Sequence, residues 1–100
     1  MNSPEGSHFI VVDYRGFYDV PRHILARDEA GSYWVFASFF DDDIDEYQDH
    51  FSLYFAGGDL AEAKAAFVRH CEVEPGQSLC SVPILRCTFD ETSRAAFTIG

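Results

Sequence analysis

Asp41, Asp43 and Asp45 stand at alternate positions, the spacing with which a calcium-binding loop begins. The rest of such a loop does not follow. The position that needs glycine for the sharp turn holds Glu46, and the twelfth position, where a bidentate glutamate belongs, holds Ser52. The segment therefore reads as solvated carboxylates rather than as a cation cage. His8, His23, His50 and His70, with Cys71, Cys80 and Cys87, are the right types for zinc. No pair among them has the two-residue spacing of a zinc knuckle, and the adjacent His70 and Cys71 project to different sides of a helix. Neither a metal nor a cofactor is expected.

Covalent and acid–base chemistry fare no better. Cys71 lies on an apolar helical stripe, where a thiol behaves as a small hydrophobe and the thiolate is disfavoured. Gly57-Gly58-Asp59 places a carboxylate where a bound phosphate would need bare N–H groups. The carboxylate pairs Asp13 with Asp19 and Asp90 with Glu91 are of a kind that any acidic chain produces by chance, and general acid–base work needs a cleft that 100 residues rarely enclose. No catalytic residue is assigned, and the chain is expected not to be an enzyme.

What remains is charge and its placement. Of the formal net charge of −10, most arises in residues 41–62, which hold eight acidic side chains and no basic one. Residues 63–100 are balanced, with four acids against four bases. Such a block repels nucleic acid and anionic membrane and attracts basic surfaces. With seven Lys and Arg against seventeen Asp and Glu, the basic stripe of a nucleic-acid reader is missing, so direct nucleic-acid binding is not expected. Dense like charge is self-repulsive and exceeds what solubility requires, which points to a partner. Tyr47 and Ile44 inside the block offer aromatic and apolar anchors among charges that would steer approach. Phe17, Tyr18 and Tyr54 flank turns or an outer strand face, and edge packing is the simpler role for Phe17 and Tyr18.

The elements that must hold this block can be read from pattern. A composition that is 47% hydrophobic and 16% aromatic argues for a folded chain of one domain, residues 8–100, after a polar tail over residues 1–7. Residues 8–14 read as a first strand ended by Arg15-Gly16, residues 16–21 as a turn, and residues 21–27 as a second strand that Pro21 can begin. Residues 28–32 make a hairpin loop in which Gly31 can take positive φ. Both alternating sets of residues 33–40 are largely apolar, so this third strand is expected to be central and covered on both faces. The acidic block follows as an exposed loop, since unpaired carboxylates resist burial.

Residues 51–56 return as a half-buried strand with Phe51, Leu53 and Phe55 inward. Asp59 caps a helix over residues 60–71, with Glu62 completing a capping box and Leu60, Ala63, Phe67 and Cys71 forming the packed stripe. Pro75-Gly76 marks a turn, residues 79–89 a last strand, and residues 90–94 a capped turn or short helix. The expected fold is α+β, an antiparallel sheet of about five strands with one main helix on one face. The connection from the fourth strand through the helix is the one place where a parallel pairing could arise.

Localisation is expected to be cytoplasmic. Three widely spaced cysteines fit reduced thiols better than a disulfide framework, the N-terminal residues lack the charge of a secretory leader, and the eight-residue apolar run at 33–40 is too short to span a bilayer. A monomer or a homodimer paired through a sheet edge both fit.

The expected function is a small acidic interaction module, an inhibitor or immunity-type protein. It would occlude a basic protein partner, for instance a nuclease or another nucleic-acid-binding enzyme. The expected contact residues are Asp41, Asp42, Asp43, Ile44, Asp45, Glu46, Tyr47 and Asp49. A nucleic-acid mimic of the kind phage-encoded anti-defence (anti-CRISPR-like) inhibitors use, with carboxylates replacing phosphates, is the alternative, and a small enzyme or ligand-binding domain is the second alternative.

Overall fold

The computed structural model describes residues 8–18, 20–72, 80–89 and 96–99. Strands β1 (His8–Tyr18) and β2 (Val20–Arg27) form an antiparallel hairpin. The first strand is longer than its sequence suggests. Gly16 takes a φ of +70° without ending the ladder, which continues through Phe17↔Pro21 to Tyr18↔Val20 because β2 offers partners along its whole length. Residues 28–32 turn the chain into β3 (Tyr33–Ala37): the Asp28 carboxylate accepts the Ser32 N–H at 2.8 Å and the Trp34 indole N–H at 3.0 Å, and Gly31 supplies a φ of +92°.

After β3 come a short pair, β4 (Phe40–Asp41) and β5 (Glu46–Tyr47), then β6 (His50–Gly57) and helix α1 (Leu60–Glu72). The region expected to be one last strand splits. β7 (Cys80–Pro83) is followed by a 3₁₀ turn, Ile84–Arg86, and then by β8 (Cys87–Phe89), while β9 (Ala96–Ile99) had no sequence signal assigned to it. The expected turns at 75–76 and 90–94 lie outside the described residues.

Among the described residues the main sheet has seven strands rather than about five, in the order β7-β6-β3-β2-β1-β9-β8, and every pairing is antiparallel, including β6 with β7 across the helical connection. This order forces curvature. Six flat strand spacings would separate the two edges by about 29 Å, yet β7 and β8 are joined by the three residues Ile84–Arg86, a link that reaches about 14 Å at most. The sheet rolls so that its edges approach, and Phe89 of β8 meets Phe51 of β6 with ring centroids 6.4 Å apart. Between β7 and β8 the described ladder stays open.

Rolling creates two cores. Phe9, Ile24, Phe36, Phe51, Leu53 and Phe97 fill the inside of the curl, and α1 covers Leu25, Val35, Ala37, Tyr54 and Ala56 on the outside. β3 is central and covered on both faces at Val35, Phe36 and Ala37, which have no exposure, but it ends at Ala37 rather than at residue 40, and Phe40 is 46% exposed. β6 departs from the expected half-buried alternation, because α1 also buries its outer residues Tyr54 and Ala56, whereas Phe55, at the end of the inner row, is 58% exposed beside Trp34. On α1 the buried stripe is Ala63, Ala66 and Phe67, and Leu60 is 41% exposed because it sits in the first turn, beyond the edge of the sheet contact.

Asp59 begins α1 as expected: its Oδ2 accepts the Glu62 N–H at 3.3 Å, and its carbonyl accepts the Ala63 N–H at 2.9 Å. The Glu62 carboxylate folds back over Gly57, whose φ is +107°. A methyl group at Gly57 would collide with that carboxylate and strain the backbone. Gly57→Ala is therefore expected to cost roughly 2 kcal/mol in urea denaturation. Gly58→Ala, with nothing within 4 Å of the added carbon, should change stability little in the same measurement.

Candidate functional site

The acidic block is a hairpin rather than a loop. Phe40 pairs with Tyr47 and Asp41 with Glu46, leaving Asp42, Asp43, Ile44 and Asp45 to turn the chain. Aspartates make this turn themselves. Asp41 Oδ1 accepts the Asp43 N–H at 3.0 Å, and Asp45 takes a φ of +56°, which short polar side chains tolerate best after glycine. Asp42, Asp43, Asp45 and Glu46 are exposed, as is Ile44 at the tip with 59% of its surface open. Four carboxylates and one aliphatic side chain thus project from one small element.

Its mount is the less obvious part. Arg22 on β2 is only 8% exposed. Its guanidinium lies over the Tyr47 ring, 4.8 Å from the centroid, and Nη1 donates to Ser38 Oγ and to the Gln48 carbonyl, each at 3.3 Å. Ser38 Oγ donates to the same carbonyl at 2.9 Å. Phe39 and Gln48 close the base: the Gln48 N–H donates to the Phe39 carbonyl at 2.9 Å, and the Phe39 N–H donates to Gln48 Oε1 at 3.3 Å. The Phe40 ring stands edge-on to Tyr47 at 5.3 Å. Charge at the tip is therefore carried on a hairpin clamped to the central sheet.

Of the residues expected to form the contact surface, Asp41 through Glu46 come together on the hairpin. Tyr47 is half-buried between Arg22 and Phe40, so its ring serves the mount as well as any partner. Asp49 is fully exposed beyond the hairpin, with its carboxylate 3.3 Å from Nδ1 of His50. Phe40, 46% exposed, joins the patch although its sequence position suggested the end of a strand. Its signal was there in the near-symmetric placing of Phe40 and Tyr47 around the acids. Arg22 had no such signal, being 26 residues from Gln48. An open depression beside the hairpin is lined by Phe39, Phe40, Asp41, Asp42, Asp43 and Gln48.

The other candidates stay scattered. Among the described residues no three His, Cys, Asp or Glu side chains converge as a metal site. His70 stacks on Tyr54 at 4.5 Å, and burial and then Arg69 hold its pKa below the ordinary value. Cys80 and Cys87 pack at the inner core, where burial pushes the Cys87 thiol up to about 11 and also raises Cys80, so neither favours a thiolate. The side chains of Phe17, Tyr18, Asp19, Asp90 and Glu91 lie outside the described residues. Among the described residues no helix is long and apolar enough to cross a membrane. Comparison with known protein families, with curated proteins and with solved structures finds no match.

Proposed function

We propose that this chain is a small acidic interaction module of the inhibitor or immunity type, which occludes a basic, nucleic-acid-processing protein with the acidic segment of residues 41–49, most of it on the hairpin. One observation carries the reading: exposed carboxylates are concentrated on a hairpin whose base is clamped by the buried Arg22. Clamping matters because ordering side chains and loops on binding costs affinity, and a preformed patch avoids part of that cost. The patch is compact, with Ile44 and Phe40 exposed among the charges, as an occluding contact with an apolar centre requires. A nucleic-acid mimic would instead spread its carboxylates in rows near the phosphate spacing.

The test begins with affinity capture by the wild type and by the combined variant Asp41→Asn, Asp42→Asn, Asp43→Asn, Asp45→Asn and Glu46→Gln, followed by titration with the purified captured protein. Asn keeps the acceptor that turns the hairpin. Wild-type association is expected to weaken steeply as salt rises, and the neutralised variant to bind on the order of 100-fold more weakly. Ile44→Ser should weaken an occluding contact and leave a phosphate mimic unaffected. An unchanged partner set with an unchanged salt response in the neutralised variant would sink both readings.

A further inference from the structure

His23 is half-buried and carries the one buried side-chain nitrogen or oxygen among the described residues that has no hydrogen-bond partner, its Nε2. Two basic side chains, Arg15 and His70, lie near it. On β1, Arg15 is its direct cross-strand neighbour, with the guanidinium lying over the Phe67 ring of α1 at 5.7 Å. On α1, His70 faces it from the last turn with Arg69 beside it, and His70 is itself stacked on Tyr54 of β6. The remaining neighbours bring little compensation. β3 places the uncharged Ala37 opposite, and the one nearby β1 carboxylate, Asp13, is exposed and accepts the Tyr14 N–H. On its other side, the His23 ring meets Phe39 edge-on at 5.1 Å, the residue whose backbone grips Gln48 at the base of the hairpin.

We propose that His23 is a proton-operated latch: taking up a proton at its enclosed nitrogen disengages the last turn of α1 and loosens the base of the acidic hairpin. A protonated imidazole must place an N–H where no acceptor lies and a charge beside the Arg15 guanidinium. Burial first, then Arg15, then His70, hold its pKa below the ordinary 6.5. The unfolded chain accordingly takes the proton first. The stability that neutral His23 provides is complete above pH 6.5 and is lost as the pH falls from there through the lower folded-state value. Any effect on a partner rests on the function proposed above, but the latch is read on the free protein, so the two fail separately.

The experiment follows the wild-type chain by NMR from about pH 7.5 to about pH 5. The His23 ring should titrate below 6.5, and on that same curve amide protection in the last turn of α1 should fall while the Phe39 and Gln48 resonances shift. His23→Phe keeps a ring against Phe39 and removes the proton, so the pH dependence of both regions should largely vanish. If that variant does not fold, His70→Phe keeps the stack on Tyr54, removes a basic group near His23 and should move the His23 midpoint upward. A His23 midpoint at or above 6.5 in the wild type, or the full pH response persisting in His23→Phe, would overturn the latch.

Discussion

Phe36→Ala is expected to remove about 4 kcal/mol of folding stability, the largest loss expected from any single side chain among the described residues. Phe36 has no exposed surface and stands at the centre of the inner core, edge-on to Phe9 at 5.0 Å, to Phe97 at 5.0 Å and to Phe51 at 6.0 Å. Those three rings come from β1, β9 and β6, so one side chain joins elements that are far apart in the chain. The void left by alanine would lie between strands tied by their own ladders, which limits collapse and keeps the cavity cost high. Set against a total margin of about 5–15 kcal/mol for a single domain, such a loss leaves little. The check is urea denaturation: the midpoint should fall sharply with an unchanged slope, and Phe36→Leu, which keeps much of the volume, should fall by about half as much. A loss of under about 1 kcal/mol would mean that the inner core tolerates a void, contrary to close packing.

Arg22→Met should cost about 2 kcal/mol and, more tellingly, detach the acidic hairpin from the sheet. Methionine keeps the apolar stem but loses the guanidinium over Tyr47 and the donations to Ser38 Oγ and the Gln48 carbonyl. Hydrogen exchange at Gln48 should quicken and the Tyr47 ring resonances should move toward solvent values, while the β2–β3 ladder stays protected. The substitution also separates two ways for the patch to attract a partner. It makes the net charge of −10 one unit more negative, so a bulk-charge mechanism predicts tighter association with a basic protein. Clamped geometry predicts weaker association, by on the order of tenfold, and mainly through faster dissociation. Tighter binding by Arg22→Met would show that the hairpin acts as diffuse charge alone.

Much of the local structure was legible because local physics sets it. The Asp28 loop with Gly31, the capping Asp59 and the doubly apolar third strand each follow from side chains acting on their own neighbourhood. The strand count was less legible. Residues 79–89 carry no strong breaker except Pro83, so nothing local showed that they divide at Ile84–Arg86 and pair with opposite edges of the sheet. Likewise Leu60 fitted the helical period, but only the position of α1 on the sheet selects Ala66 in its place.

The candidate site divides along the same line. Composition alone determined that residues 41–49 must be largely exposed, because clustered carboxylates without cations cannot be desolvated, and the structure keeps Asp42 through Glu46 and Asp49 exposed, with Asp41, Tyr47 and Gln48 partly covered. Only the tertiary fold decided that this segment is a hairpin with a fixed direction. The clamp is made by Arg22 and Ser38, brought together when β2 and β3 align and Ser38 donates its N–H to the Arg22 carbonyl at 2.7 Å. The pairing of β2 with β1 likewise sets His23 beside Arg15. Charge is a property of the residues themselves, whereas orientation depends on contacts between distant residues, which exist only once the sheet has formed.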